Sequence, residues 1–400
     1  RKCLNSTIPP RYRYQLNQYW LLTKNICRLH ADIYWQHKIN IYMISQIQTY
    51  IVDIPTIRPH KLSMTSMAVQ SMVIVRITDD NGLEGIGEGT TIGGLAYGAE
   101  SPESIKTNID TYLAPYLIGQ SVASPKALIN KLQLAFRGNP IAKSAVQTAL
   151  LDLLGKQLGV PVSTLLGGAC NNHLSCLWVL ASGNTEKDIE EAKGLVAEKR
   201  HNIFKLKIGS RSVRDDVAHV GKIKAALGDD VSIRVDVNQA WSESQATYGM
   251  AALQEAGIDL VEQPTPAKDF ASLVRLSKKF NIGILADESI ADSTDTLLLA
   301  QQGFTGSVAL KIGKAGGLFG ALDVAAVCNA ADGSRRRLHA GFDVWGSADL
   351  RNRGPTQLGC FLLLSPMRLR VNPRRVSRRS DGLLFAEWGT TMSRTDRTSG

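Results

Sequence analysis

The feature that most constrains the fold is a series of short apolar runs over residues 204–317, each of which ends in charged residues. In chain order these are Lys205 and Lys207, Asp236, Glu262, Asp287 and Glu288, and Lys311. From Lys207 to Asp236, Glu262, Asp287 and Lys311 the steps are 29, 26, 25 and 24 residues. A strand, a helix and two loops take about that length in a (β/α) barrel, so each charged residue is predicted to lie at the C-terminal end of a successive parallel strand.

The carboxylates of this series have the chemistry of a metal site. Three carboxylates on successive strands can bind a hard divalent cation and leave positions open for a substrate carboxylate and for water. A single Asp at a strand end is more often a helix cap or a salt-bridge partner. Because Asp236, Glu262 and Asp287 are evenly spaced and each follows an apolar run, the pattern favours a metal site.

The lysines on both sides of the carboxylates are candidates for proton transfer. Lys205 and Lys207 point to the same side of their strand, because side chains alternate along a strand with a period of two. Lys311 is predicted to approach from across the barrel. A substrate carbon held between Lys207 and Lys311 can then exchange a proton on either face. The alternative interpretation is that these lysines are solvated strand ends.

The composition fits an ordinary two-domain protein. The 400 residues are 44% hydrophobic and 20% charged, which is enough for two packed cores. No run approaches the roughly 18 apolar residues of a membrane helix, and the N-terminus lacks the apolar core of a signal peptide. The six cysteines are scattered without a CxxC pair, which indicates free thiols in a reducing compartment. We expect a cytoplasmic protein without a membrane partner.

The net charge of +10 lies at the two ends of the chain. Residues 1–43 contribute +6, and residues 335–400, with thirteen Arg and no Lys, contribute +8. Residues 44–334 therefore carry −4. Because the central part is mildly acidic, we expect no nucleic-acid partner.

Differences in composition and in strand or helix periodicity divide the chain into four parts. Residues 1–43 are rich in Tyr and Trp and are either a separate interaction arm or not native; the second interpretation is favoured, with Met43 as the natural start. Residues 44–168 alternate as strands and then show helical periodicity, with Ser101 as a helix N-cap, and make an α+β domain. Within it, the glycine-rich run 85–98 is predicted to be a mobile loop. Residues 169–364 are the barrel, with strands near 174–180, 203–208, 231–237, 258–262, 282–286, 306–311 and 337–341 and with uncertain closing strands.

The last part, residues 365–400, is an arginine-rich tail, and neither strand nor helix periodicity is kept beyond Gly333. The sequence from about residue 335 to 400 is either a basic partner-binding tail or the product of a reading-frame shift in a GC-rich gene. The second interpretation is favoured, because arginine without lysine is typical of such a shift.

The motifs FKLKIG, RVDVNQAW, LVEQP, ADES and ALKIGKAGG, in this order and spacing, resemble the enolase superfamily and its muconate-lactonizing subgroup. IVDIPTIRPHKLSM and GEGTTIGGLAYGAESPE of the N-terminal domain are similar to the same subgroup. The resemblance covers about residues 44–333. It implies an N-terminal α+β capping domain followed by a modified (β/α)7β TIM-type barrel, assembled as a homo-octamer.

The resemblance also implies an isomerase that interconverts the dicarboxylate cis,cis-muconate and muconolactone in the β-ketoadipate route of aromatic catabolism. Mn²⁺ or Mg²⁺ is implied as the cofactor, held by Asp236, Glu262 and Asp287. Lys207 matches the proton donor, Lys205 assists it and contacts the substrate carboxylate, and Lys311 acts electrostatically from the opposite face. The implied substrate-binding residues further include Ile92 and Tyr97 in the loop over the substrate, and Asn238 beside the first metal ligand.

Other reactions that pass through a carboxylate-stabilised enolate remain open. They are chloromuconate cycloisomerisation, dipeptide epimerisation and o-succinylbenzoate synthesis. The loop sequence TTIGGLAYG favours muconate. An inactive relative is the further alternative, because the C-terminal sequence departs from the family pattern: Gln357 stands where the family has a glutamate on its last strand.

Overall fold

The structure is a computed structural model that describes residues 42–61, 66–96, 98–168, 177–333, 339–342, 376–378 and 384–386. The chain divides into two compact units, Arg1–Tyr42 and Met43–Gly400, and the elements below belong to the second. The predictions for residues 1–41, for Gln357 and for most of the arginine-rich tail concern residues outside the described ranges.

An antiparallel sheet opens the second unit. Its long strands are β1 (Ile44–Lys61), β2 (Ser66–Asp79) and β3 (Glu84–Thr90). Two short strands near the C-terminus, β11 (Val376–Arg378) and β12 (Leu384–Ala386), extend the sheet to the order β11-β12-β1-β2-β3. The predicted alternation is confirmed on β2, where every second residue is fully buried: Val73, Val75 and Ile77.

The helices of this domain follow β3 and pack against the sheet. They are α1 (Pro102–Asn108), a π-helical segment (Ile109–Leu113), α2 (Ala114–Leu117), α3 (Pro125–Ala135), α4 (Pro140–Leu158) and α5 (Val162–Leu165). The predicted start of α1 is confirmed, since the Ser101 hydroxyl accepts the N–H of Ser104 at 3.2 Å. This side chain satisfies a donor that the first turn of a helix otherwise leaves unpaired.

The glycine-rich run is a strand in its first half, so that part of the loop prediction is wrong. β3 ends at Thr90, and only the residues after it form turns. Glycines alternate along the strand and lie against α4: a Cβ on Gly85 or Gly87 would overlap a main-chain oxygen of that helix. Because glycine has no apolar side chain, this strand shows no hydrophobic period in the sequence.

Parallel strands alternate with helices over the rest of the described chain. The strands are β4 (Trp178–Leu180), β5 (Ile203–Lys207), β6 (Ser232–Asp236), β7 (Leu260–Glu262), β8 (Gly283–Ala286), β9 (Ser307–Leu310) and β10 (His339–Phe342). The helices are α6 (Thr185–Ala197), α7 (Val213–Leu227), α8 (Glu243–Glu255), α9 (Phe270–Lys279), α10 (Ser293–Gln301) and α11 (Leu318–Gly333).

These strands occur at all seven predicted places and pair in sequence order, β4 to β10. All of the pairs are parallel. Between the described strands, no pairing of β10 with β4 closes the barrel. The predicted α/β class, with an α+β domain followed by parallel α/β repeats, is confirmed.

The two domains meet at a buried glutamine of α4. Gln147 is fully buried, and its Oε1 accepts the N–H of Phe319 at 2.8 Å while its Nε2 donates to the carbonyl of Gly316 at 3.4 Å. Both partners belong to the segment that leads from β9 into α11. The N-terminal domain therefore contacts the loop at the C-terminal end of β9.

Two predictions about the whole chain can be compared with the described residues. No helix among them is long and apolar enough to cross a bilayer. Cys328 is a buried free thiol, and burial raises its pKa to about 12. The other five cysteines lie outside the described ranges.

Candidate active site

The charged residues predicted at strand ends lie side by side along one edge of the parallel sheet. In the strand register, Lys207 pairs with Asp236, and Asp236 pairs with Glu262. The partner of Glu262 on β8 lies two residues before Asp287, and Lys311 follows β9 directly. The C-terminal ends of parallel strands share one edge of a sheet, so the 24- to 29-residue spacing brings these side chains together.

The predicted metal ligands are buried although they are acids. Asp236, Glu262 and Asp287 are each 1% exposed, and Lys205 is 7% exposed. A charged group at such a depth needs an opposite charge or a set of hydrogen bonds, because burial removes its hydration. The lysines meet that need.

Two lysines of β5 pair with the acids of the next two strands. Lys205 Nζ lies 3.0 Å from Glu262 Oε2 and 3.8 Å from Asp236 Oδ2. Lys207 Nζ forms an ion pair with the Asp236 carboxylate and donates to Asn238 Oδ1 at 3.1 Å. Burial acts to raise the pKa of Asp236, but the charges of Lys207 and Lys205 and the hydrogen bond from Lys207 outweigh it and lower that pKa.

Two further lysines hold the acid that follows β8. Lys311 Nζ lies 2.5 Å from Asp287 Oδ2. Lys314 Nζ donates to the Asp287 carbonyl oxygen at 2.6 Å and lies 3.5 Å from its Oδ1. Burial lowers the pKa of Lys314, and the negative charge of Asp287 offsets part of this lowering. The sequence prediction did not include Lys314, although its position three residues after Lys311 is a signal that it lies beside the same strand end.

Glu288 is the fourth acid at this edge. Desolvation by burial, followed by the negative charges of Asp287 and Asp236, raises its pKa to about 7. Its Oε1 accepts from Asn238 Nδ2 at 3.1 Å, and its Oε2 is buried with no hydrogen-bond partner in the described part of the chain. Asn238 thus bridges Lys207 and Glu288 by hydrogen bonds. Its predicted contact with the substrate stays a prediction.

Together these residues form what we call the lysine–carboxylate cluster: Lys205, Lys207, Lys311, Lys314, Asp236, Glu262, Asp287 and Glu288. When all eight are ionised, their charges cancel. Within the described ranges, no three His, Cys, Asp or Glu side chains form a ready metal-binding group, and the carboxylate oxygens face lysines. The donor set still fits a hard divalent cation, because three buried acids and the half-buried Glu288 offer oxygen ligands, and one oxygen of Glu288 has no partner there.

The predicted loop contacts are only partly described. Ile92 is half-buried in the turn that follows β3. Tyr97 lies outside the described residues. The assignment of both side chains to substrate binding stays a prediction.

The chain matches two family models over most of its described length. Residues 46–167 match the mandelate racemase / muconate lactonizing enzyme N-terminal domain. Residues 187–335 match the enolase C-terminal domain-like family. The two matches together contain every residue of the lysine–carboxylate cluster.

Individual relatives carry related names. Muconate cycloisomerase 1 of Acinetobacter baylyi is 48% identical over 292 residues, which cover 72% of this chain and 78% of the relative. Chloromuconate cycloisomerase CbnB of Cupriavidus necator is 42% identical over 288 residues, with the same two coverages. The chain is also similar to the crystal structure of muconate lactonizing enzyme from Pseudomonas fluorescens complexed with muconolactone. The two superpose with a TM-score of 0.72 at 49% sequence identity, and the alignment covers 75% of this chain and 80% of that one.

Proposed function

We infer that this chain, which belongs to the mandelate racemase / muconate lactonizing enzyme family of the enolase superfamily, is an isomerase that interconverts cis,cis-muconate and muconolactone. Two muconate cycloisomerases of Acinetobacter lwoffii are 49% and 43% identical over 72% and 80% of the chain. The relatives named chloromuconate cycloisomerase are 41–42% identical, so muconate is the favoured substrate.

The observation that carries the proposal is a row of acids at the C-terminal ends of β6, β7 and β8, flanked by lysines at the ends of β5 and β9. A reaction that builds negative charge on a carboxylate and moves a proton to its α-carbon needs cations and a proton donor in one desolvated place. Lys205, Lys207 and Lys311 supply the ammonium groups, and their side chains are 8%, 17% and 22% exposed, so little water competes with them.

The proposed reaction begins with attack by an oxygen of one carboxylate of muconate on the alkene that is conjugated with the other carboxylate. The carbon attacked is β to that other carboxylate. A C–O bond forms, and the alkene electron pair moves to the carbon next to the other carboxylate, which becomes an enolate. Lys207 donates a proton to that carbon and so completes the lactone. In the reverse direction Lys207 removes the same proton, and the ring C–O bond breaks.

The other two lysines have electrostatic roles in this proposal. Lys205, paired with Glu262 at 3.0 Å, contacts the substrate carboxylate and assists Lys207. Lys311 faces the substrate from the β9 side and offers positive charge to the developing enolate. Asn238 accepts from Lys207 at 3.1 Å and so orients the proton donor.

We propose that Asp236, Glu262 and Asp287 hold a divalent cation, either Mn²⁺ or Mg²⁺. When bound, it supplies positive charge beside the substrate carboxylate on which negative charge develops. The charges of the lysine–carboxylate cluster cancel when all its members are ionised, so a dication leaves the site at +2. A dicarboxylate substrate carries −2 and matches that charge.

The remaining features of the proposal come from the family resemblance. They are substrate contacts at Ile92 and Tyr97, assembly as a homo-octamer, a cytoplasmic location and a place in the β-ketoadipate route. The division into residues 1–43, 44–168, 169–364 and 365–400 belongs to the same proposal.

The test is the ultraviolet absorbance of cis,cis-muconate mixed with the purified chain and Mn²⁺. Lactone formation removes the conjugated diene, so we expect the absorbance to fall, and we expect a chelator to stop the fall and added Mn²⁺ to restore it. A steady absorbance with Mn²⁺ present, from a chain that melts cooperatively, contradicts the proposed reaction. The chain with a family-like C-terminal segment is the matched comparison for the arginine-rich tail.

A further inference from the structure

The residue that follows Glu262 has an unusual backbone conformation in a fully buried place. Gln263 is 0% exposed and has φ of +36°. Positive φ is uncommon for residues other than glycine and asparagine, and it persists where the surrounding structure requires it. The LVEQP motif contains Gln263, but neither the proposed metal ligands nor the proton-transfer residues account for it.

The side chain of Gln263 binds the turn that carries Asp287. Its Oε1 accepts the N–H of Asp287 at 2.8 Å and the N–H of Ser289 at 3.2 Å. Its Nε2 donates to Ser289 Oγ at 2.8 Å and to the Thr265 carbonyl at 2.9 Å. The amide has two donors and an acceptor oxygen with two lone pairs, and all four are used.

The backbone of Gln263 connects the neighbouring strands as well. Its N–H donates to the carbonyl of Leu285 on β8 at 2.8 Å, and its carbonyl accepts the N–H of Gln239, which follows β6, at 2.8 Å. One residue therefore joins the ends of β6, β7 and β8. Those are the three strands that present Asp236, Glu262 and Asp287.

We propose that Gln263 is a positioning residue that fixes the Asp287–Ser289 turn and so aims the Asp287 carboxylate at a bound divalent cation. The inference rests on the proposed function for the presence of that cation. Groups that orient metal ligands typically change metal affinity by about 10- to 100-fold when they are removed. Gln263 acts through the backbone N–H of a ligand and does not itself touch the metal or the substrate.

The chain contains a comparable glutamine, Gln254 of α8, which is exposed and binds residues at the opposite end of β8. Gln254 Oε1 accepts the N–H groups of Asn281 and Ile282, just before β8, at 2.7 and 3.1 Å. It thus makes the same pair of main-chain hydrogen bonds far from the proposed metal ligands. A role that is only structural predicts that removing either glutamine lowers the melting temperature and leaves the Mn²⁺ affinity unchanged.

The experiment compares Gln263→Met with Gln254→Met in the full chain. Methionine keeps the length of the side chain without its hydrogen bonds. The dissociation constant for Mn²⁺ is measured from the electron paramagnetic resonance signal of free Mn²⁺, and the melting temperature is measured in parallel. We expect Gln263→Met to weaken Mn²⁺ binding by about tenfold or more and to change the spectrum of the bound ion, whereas Gln254→Met lowers only the melting temperature.

Each outcome is decisive. Equal Mn²⁺ affinity for wild type and Gln263→Met overturns the positioning role and leaves the proposed function intact. Wild-type protein that binds no Mn²⁺ instead refutes the metal site on which both proposals depend. If Gln263→Met gives no cooperative melt, Ser289→Ala decides, because it removes one acceptor of the Gln263 amide: several-fold weaker Mn²⁺ binding supports the role, and unchanged binding overturns it.

Discussion

At the scale of single residues, Lys207 is the most direct test of the mechanism. We expect Lys207→Ala to reduce turnover of cis,cis-muconate by about 10²- to 10⁴-fold, the range that a positioned acid or base contributes. Mn²⁺ binding should remain, because the three carboxylates are unchanged. Lys222→Ala, on the exposed face of α7, is the matched control. Near-normal turnover of Lys207→Ala disproves its role as proton donor.

Glu262 separates the metal site from the proton-transfer groups. Glu262→Gln keeps the shape of the side chain but removes the charge that pairs with Lys205 at 3.0 Å. We expect Mn²⁺ affinity to fall by at least ~10-fold, since even groups that only support a ligand cause losses of that size. Titration calorimetry with Mn²⁺ checks this, with Glu255→Gln on the exposed face of α8 as the control. Wild-type affinity in Glu262→Gln rules out Glu262 as a ligand.

The sequence pattern predicts best the residues of the site that recur with the strand period, whereas Asn238, Ile92 and Tyr97 come only from the family resemblance. Asp236, Glu262, Asp287 and the lysines stand one repeat apart, so a count along the chain finds them. Lys314 and the hydrogen bonds of Gln263 depend on how a loop turns after its strand ends. Such turns have no period, and their side-chain directions appear only in the folded structure.

At the scale of elements, helices α6 and α7 are joined by a histidine that is sensitive to pH. His219 Nδ1 lies 2.8 Å from Thr185 Oγ1, and its Nε2 lies 3.6 Å from Asp188 Oδ2. Burial lowers the pKa of His219, and so does the charge of Arg211. The other charged groups around it are Asp188 and Glu186, which raise the pKa, and Lys222, which lowers it.

A lowered folded-state pKa gives this histidine a defined effect on stability. The unfolded chain binds a proton at about pH 6.5 more readily than the folded chain, so protonation favours unfolding. The stability contributed by neutral His219 is therefore present above pH 6.5 and is lost as the pH falls below it. We expect the melting temperature to drop more from pH 7.5 to pH 5.5 in wild type than in His219→Gln. Equal drops contradict this account.

The packing of β3 on α4 gives a second prediction at this scale. A Cβ on Gly87 overlaps the main-chain oxygen of Ala145, so Gly87→Ala should push strand and helix apart and cost about 1–3 kcal/mol or more of unfolding free energy. Gly194 in α6 has open space on its side-chain side, with no atom within 4 Å of where a methyl group would stand. Gly194→Ala should therefore stabilise by about 0.5–1 kcal/mol. Urea denaturation measures both, and equal effects would contradict the close packing.

The elements were predictable where apolar residues mark them. The parallel strands and α1 follow from hydrophobic runs and from the cap at Ser101. β3 was not, because the residues that face α4 are Gly85, Gly87 and Gly89. The close approach of the helix requires these glycines, and their small size also hides the alternation from any pattern based on hydrophobicity.

At the scale of the whole molecule, the sequence predicts two domains but not the contact between them. The resemblance implied a capping domain over the barrel, and the structure joins α4 to the β9–α11 loop through Gln147. A lone glutamine inside an amphipathic helix has no pattern that identifies its partner. The loop after β9, which Gln147 contacts, contains Lys311 and Lys314. This contact therefore connects the N-terminal domain to the lysine–carboxylate cluster.

Replacing Gln147 should therefore weaken both the interface and the site. In Gln147→Leu the part-buried N–H of Phe319 loses its acceptor, which costs about 1 kcal/mol, the lower end of the range for a buried donor. We expect a lower melting temperature and a broader calorimetric transition, because the two domains then unfold less cooperatively. The KM for cis,cis-muconate should rise as the β9–α11 loop loosens.

Gln157→Leu is the control on the same helix, since Gln157 Nε2 donates at 2.8 Å to Asp79 within the N-terminal domain. Loss of that bond weakens one domain but does not release the loop after β9. Its melting temperature should fall while its KM stays at the wild-type value. If Gln157→Leu raises KM as much as Gln147→Leu does, the effect comes from general destabilisation of the N-terminal domain, and the contact through Gln147 has no special connection to the active site.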